Sequence, residues 1–216
     1  MDFERARHWM VEAQVRPNDV TDPAVLGALR QLPRERFAPA FPDIAYSDLE
    51  LEVAPGRFLL RPRDLGKLIQ ILSPRAGETA MEICGATGYG AAVLASIGSA
   101  SVVTLDSDPA LAHAAQTAIS ACGLSQVIAA SGDVKAGYRD RAPYDVILVS
   151  AGVEFVPQAW LDQLAEGGRL AVVVRNGAAG SARLYLKAGG LAAYRTAFDA
   201  APPVAPDLKN PPAFTF

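Results

Sequence analysis

The spacing of apolar residues changes near residue 79. Upstream they recur at helical intervals. "DFERARHWMVEAQV" predicts an amphipathic helix ended by Pro17, and "TDPAVLGALRQL" predicts a second, with Asp22 as N-cap and Pro23 in its first turn. "PRDLGKLIQIL" repeats the proline-then-acid start and predicts a third. The rest of residues 1–78 reads as loop. From Thr79 the texture becomes alternating. "TAMEIC", "SVVTLD", "QVIAASGD", "YDVILVSA" and "GGRLAVVVRN" predict five buried strands. Helices fall between them, from Tyr89, over "PALAHAAQTAISACG" and over "PQAWLDQL", the second stopped by Gly123. "ARLYLKAGGLAAYRTAFD" predicts a hairpin about Gly189-Gly190.

Strand–helix alternation with short connections gives the expected fold class: α/β, a Rossmann-like, doubly wound and mostly parallel sheet. It carries a C-terminal antiparallel hairpin and an N-terminal helical extension. No internal repeat divides the chain. A single domain is expected, with N-terminal helices over 1–78, the sheet core over 79–200 and a proline-rich, extended tail over 201–216.

Composition narrows the chemistry. A chain of 216 residues that is 50% hydrophobic can bury one good core. The net charge of −3 provides no electrostatic footprint for nucleic acid. No basic run suggests a membrane surface, and no apolar run has the length of a membrane span. "MDFERARHWM" lacks the apolar stretch of a secretory leader, so a cytoplasmic setting is expected. Cys84 and Cys122 show no metal-binding spacing, and His8 and His113 are too few for a histidine-rich site or a conventional nucleophile–histidine triad. No metal is expected. The sequence leaves the oligomeric state open.

In a doubly wound sheet, ligands bind where strands end. Three features fall there. The turn in "MEICGATGYG" offers backbone amides and a helix N-terminus to an anion. Asp106, closing "VVTLD", can accept both hydroxyls of a ribose. Gly132 and Asp133 close the third strand, where Asp133 can accept from an adenine amino group. Each also has a purely structural explanation: Gly88 allows close helix–strand packing, Asp106 caps the helix before Pro109, and Asp133 is a turn residue. Together they point to an adenosine-type ligand. Neither the G-x-G-x-x-G fingerprint nor the phosphate loop with its lysine is present, which disfavours nicotinamide and triphosphate chemistry. Two acids flanking such a turn suit S-adenosylmethionine better.

Several segments together resemble the protein-L-isoaspartate O-methyltransferases, class I S-adenosylmethionine enzymes, and the resemblance spans nearly the whole chain. "MVEAQVRPNDVTDPAVLGALRQLPRERFAP" is similar to that family's N-terminal helices and ends in its Pro-Arg-Glu-x-Phe-x-Pro signature, Pro33 to Pro39. "AYSD", Ala45 to Asp48, matches Ala-Tyr-x-Asp, and "MEICGATGYGAAVLA" resembles Leu-Glu-Ile-Gly-x-Gly-x-Gly-Tyr-x-Ala-Ala-Val-Leu-Ala. "SGDVKAGYRDRAPYDVILVSAGVEFVPQAWLDQLAEGGRLAVVV" follows the family's later strands. The resemblance implies S-adenosylmethionine as cofactor, with Glu82, Cys84, Gly85, Ala86, Gly88, Asp106, Gly132 and Asp133 around it. It also implies methyl transfer to a carboxylate of isoaspartyl residues in damaged proteins or peptides, a repair reaction.

Two departures stand out. Cys84 and Ala86 replace the first two glycines of the turn, which adds strain if the backbone there has positive φ. Gly85 between them offers a way to shift the turn's register. The family's substrate loop, Gly-Gln-Thr-Ile-Ser-Gln-Pro, is here "GRFLLRP", Gly56 to Pro62: Arg57, Phe58, Leu59, Leu60 and Arg61 replace the polar residues, and Leu60 stands at the serine. This loop is the candidate catalytic region, without an assigned catalytic side chain. Arg57 or Arg61 can supply a carboxylate contact, or both face solvent beside a packed Phe58-Leu59-Leu60 lid. The alternatives are a changed acceptor, a small carboxylate or apolar molecule, and a non-catalytic binding module.

Overall fold

The computed structural model describes residues 2–211. Helix α1 (Phe3–Met10) is capped by the Asp2 carboxylate, which accepts from the Arg5 amide at 3.0 Å. It widens into a π-helical turn over Val11–Val15 and tightens over Arg16–Asn18, so Met10, Val11 and Val15 all reach the core. Pro17 ends the run as expected, and Asp19 leaves it with φ 66°. Helix α2 (Pro23–Gln31) starts on Asp22, whose carboxylate accepts from the amides of Ala24 and Val25. Strands β1 (Leu51–Ala54) and β2 (Arg57–Leu59) form a small antiparallel pair where the sequence predicts loop. They are too short and irregular for alternation to show. Helix α3 (Pro62–Leu72) follows.

The remaining elements match the alternation read from the sequence. They are β3 (Thr79–Ile83), α4 (Tyr89–Ile97), β4 (Ser101–Asp106), α5 (Pro109–Ala121), β5 (Val127–Ser131), β6 (Tyr144–Val153), α6 (Gln158–Asp162), β7 (Leu164–Asn176), β8 (Ala179–Ala188) and β9 (Leu191–Asp199). Strand β7 starts earlier than "GGRLAVVVRN" suggested, because Leu164 already pairs with Tyr144.

The large sheet has the order β5-β4-β3-β6-β7-β8-β9, parallel through β7 and antiparallel over the last two pairings. Its direction of winding reverses between β3 and β6, which sets the crevice for a ligand beyond their carboxyl ends. On one face, Met10, Val15, Leu29 and Leu68 pack into the same apolar cluster as Val146, Leu148 and Val173. Met81, Val103, Ile147, Trp160 and Leu170 fill the other face. The N-terminal helices thus share a core with the sheet.

The tail departs from the expectation of a simply extended surface segment. Ala205 and Leu208 are buried, Pro206–Leu208 form a 3-10 turn, and Gly152 at the end of β6 exchanges backbone hydrogen bonds with Pro203 and Ala205. The final part of that expected tail, 212–216, lies outside the described residues. Among the described residues, no helix is long and apolar enough to cross a membrane.

Candidate functional site

The turn after β3 is built from strained backbone. Cys84 has φ 54° and Ala86 has φ 50°, both left-handed, and Gly88 has φ 82°. The two substituted positions therefore hold the conformation that glycine adopts freely, at a cost of about 1 kcal/mol each. Gly85 does not relieve them. It lies outside the left-handed region, and a β-carbon there would strike Glu82 and Thr104, so the register shift suggested by the sequence does not occur. Gly88 does allow the close packing foreseen for it, since a β-carbon would come within 3.0 Å of Ile119 Cδ1 on α5. The turn is tied down from outside by Thr87, whose hydroxyl donates to the Phe37 carbonyl at 2.6 Å.

Beneath the turn lies Glu82, buried. Its Oε1 accepts from the Ser150 hydroxyl at 2.6 Å, and its Oε2 accepts from the Thr104 hydroxyl at 2.8 Å and the Ala91 amide at 3.0 Å. Burial pushes its pKa up to about 7, against the pull of those donors. Burial likewise pushes the Cys84 thiol up, so it has the character of a packed apolar group rather than a nucleophile.

Asp106 ends β4 as predicted, facing the turn. Its Oδ2 accepts from the Ala86 amide at 3.1 Å, and its Oδ1 accepts from the Asp108 amide at 3.2 Å. It is not the cap of α5; Asp108 is, accepting from the Ala110 amide at 2.8 Å. The partner that sequence reasoning missed is Arg57. Its Nε donates to Asp106 Oδ1 at 3.0 Å, while Nη2 donates to the Ser107 hydroxyl at 2.7 Å and pairs with Asp207 of the tail. Burial works against the charge on Arg57, but the hydrogen bond and charge of Asp106, with Asp207, more than offset it. A side chain that the sequence left open, as solvent-facing or as a contact for substrate, is thus buried on an internal acid. The short β1–β2 pair aims it inward, because in β2 Arg57 and Leu59 share the buried side while Phe58 is only half-buried.

Arg61 is also committed, its Nε 2.6 Å from Glu50 Oε1, with Asp64 on its other side. Leu59 and Leu60 are buried and Phe58 is half-buried, so the lid of one alternative is packed only in part, and its two solvent-facing arginines are not found. At β5, the Gly132 amide donates to the Asp106 carbonyl at 3.0 Å, and the exposed Asp133 carboxylate accepts from the Lys135 amide at 2.9 Å. Asp133 therefore serves its turn and keeps a free carboxylate oxygen toward solvent.

A second buried arginine frames the other side. Arg34, inside the Pro33–Pro39 signature, donates from Nε to the Ala45 carbonyl and from Nη2 to the Leu60 carbonyl, both at 2.7 Å, and lies 4.7 Å from the Tyr89 ring centroid. Arg34 Nη1 and the Tyr89 hydroxyl are buried without hydrogen-bond partners among the described residues. They border a cavity of about 10 Å³ lined by Leu60, Glu82, Gly85, Tyr89 and Ser150, room for a single water.

Comparison with known proteins points to one family. A family profile described as protein-L-isoaspartate(D-aspartate) O-methyltransferase covers residues 6–197. A protein-L-isoaspartate O-methyltransferase 1 from Rhodopseudomonas palustris (strain HaA2) is 41% identical over 173 residues, which is 80% of this chain and 70% of that protein. A protein-L-isoaspartate O-methyltransferase from Methylorubrum populi is 40% identical over 174 residues, 80% of each chain. A solved structure named protein-L-isoaspartate O-methyltransferase superposes with TM-score 0.80 at 25% identity, over 95% of this chain and 67% of that one. The fold is shared with a Plasmodium falciparum protein, described as a protein-L-isoaspartate O-methyltransferase in complex with S-adenosyl-L-homocysteine, at TM-score 0.78 and 16% identity, over 93% of this chain and 98% of that one.

Proposed function

The chain belongs to the protein-L-isoaspartate(D-aspartate) O-methyltransferase family, and from that membership we infer that it is an S-adenosylmethionine-dependent methyltransferase acting on the carboxylate of isoaspartyl residues in proteins. The observation that carries this reading is the Arg34 clamp. The signature that marks the family is here a buried guanidinium joining the carbonyls of Ala45 and Leu60 beside Tyr89, at the head of α4. It thereby holds the acceptor loop against the turn where the cofactor is expected.

The reaction suits such a site. A carboxylate acceptor is ionised at neutral pH, so it needs no general base, and what the protein supplies is position and exclusion of water. The candidate cofactor residues are Glu82, the turn from Cys84 to Gly88, Asp106, Gly132 and Asp133.

The closed arrangement does not fit the cofactor. Arg57 stands on the carboxylate that would take its ribose. The loop also lacks the hydroxyl of its family, because leucine stands at position 60, where it is buried and its carbonyl accepts from Arg34.

The test is methyl transfer from labelled S-adenosylmethionine to an isoaspartyl peptide, with the corresponding aspartyl peptide as control. Transfer selective for the isoaspartyl peptide is expected. Cofactor binding without such transfer would overturn the substrate assignment. Leu60→Ser is expected to raise kcat/KM about tenfold, the worth of one hydrogen bond to a charged group; an unchanged value would show that the missing hydroxyl does not limit the reaction.

A further inference from the structure

We propose that Arg57 is the residue that sets this chain's affinity for its cofactor: it is an internal occupant of the ribose position at Asp106, held there by the tail segment Val204–Leu208. The proposal rests on the cofactor reading given above.

Three observations meet at this point. First, three of the carboxylate's roughly four acceptor positions are filled from within the protein, which leaves too few for both hydroxyls of a ribose. Asp106 Oδ1 accepts from Arg57 Nε and the Asp108 amide, and Oδ2 from the Ala86 amide. A diol arriving at this carboxylate must displace the guanidinium, trading a charge-assisted pairing for neutral hydroxyl donors. Second, the displaced arginine would have to leave a buried place. Its side chain is 9% exposed, and its outer nitrogen is gripped by Ser107 and Asp207, which also bond each other at 3.1 Å. Third, Asp207 is itself held in place. The Gly152 amide donates to the Pro203 carbonyl at 2.9 Å and the Glu154 amide to the Leu208 carbonyl at 2.9 Å, while Leu208 is buried. The tail crosses so close to Gly56 that a β-carbon there would lie 2.7 Å from Pro206 Cγ. Arg57, its loop and the tail move together or not at all.

The cofactor then binds only the fraction of molecules in which Arg57 has withdrawn, and the measured affinity falls by that fraction. Glutamine stands at this place in the loop of the family that the sequence resembles. It is too short and uncharged to reproduce the ion pair.

Calorimetry with S-adenosylhomocysteine on the full-length protein tests this, with melting temperature with and without ligand as a second reading. Arg57→Gln is expected to bind about tenfold or more tightly than the native chain, and to gain a larger ligand-induced rise in Tm. Asp207→Asn, which loosens the grip without emptying the buried place, is expected to tighten binding about threefold. Equal, measurable affinity in the native chain and Arg57→Gln overturns the proposal and leaves the cofactor reading standing. No binding by either at millimolar ligand overturns both. If Arg57→Gln does not fold, Asp207→Asn decides, and affinity unchanged from the native chain refutes the role given to Arg57.

Discussion

The two buried arginines of this protein do opposite things with the same side chain. Arg34 meets carbonyl oxygens and an aromatic ring, and among the described residues no carboxylate is within its hydrogen-bond reach. Arg57 meets two carboxylates, one at the end of a sheet strand and one on the tail. The first is fully buried inside a family signature and fastens loop to turn. The second stands where the loop departs from its family and closes the crevice that the first has framed. A guanidinium on carbonyls is a static brace, since nothing competes for them. On a carboxylate that faces a ligand crevice it becomes a competitor.

Removing the brace should have the largest effect. Arg34→Ala leaves two buried carbonyls without donors and a cavity beside Tyr89, and is expected to cost about 3 kcal/mol or more in urea unfolding. A loss below about 1 kcal/mol would erase the contrast with Arg57, because the brace would then be dispensable.

Glu82 belongs to neither arginine's network and separates their contributions by pH. Its pKa, raised to about 7 by burial, means that the folded chain holds a proton that the unfolded chain releases in the ordinary carboxylate range. This stabilisation is complete at acid pH below that range and is lost as pH rises toward and through about 7, at most on the order of 3 kcal/mol. In Glu82→Gln the fall in stability between pH 5 and 7 should flatten. A native chain with no such slope would mean that Glu82 is ionised throughout, held by Ser150 and Thr104.

The smallest expected effect sharpens the comparison on the side of the turn. Ala86→Gly and Cys84→Gly remove β-carbons from left-handed backbone, and each is expected to raise stability by no more than about 1 kcal/mol, less what the freer unfolded chain takes back. If either variant is destabilised by 1 kcal/mol or more, buried contacts of the side chain outweigh the strain.

The elements most legible in the sequence were those with strong periodicity and caps. Asp22 and Pro23 started α2, and "SVVTLD" ended on an acid at the crevice, because these signals are local. The strain at Cys84 and Ala86 was also readable, since glycine replacements in a turn carry a stated conformational cost. What escaped were the side-chain bridges between distant segments. Arg57 and Asp207 are 150 positions apart, and nothing near either one announces the pairing. Arg34 was visible as part of a signature, but its hold on Ala45 and Leu60 is a tertiary fact. The Phe58-Leu59-Leu60 lid and the arginines beside it left alternatives open because a strand as short as β2 gives too little alternation to decide which side chains point inward.

The near-contact between Gly56 and Pro206 makes two ends of the chain answer to one another. A larger residue at 56 would lift the tail, move Asp207 and release Arg57, while a change at 207 would leave the arginine half-held over a carboxylate. Substitutions at 56, 57, 206 and 207 are therefore not independent events: descendants that exchange the arginine are free to lose the tail's acid and proline, and those that keep it must keep the whole set. The closed crevice thus predicts joint inheritance between a loop and a tail that no local motif connects.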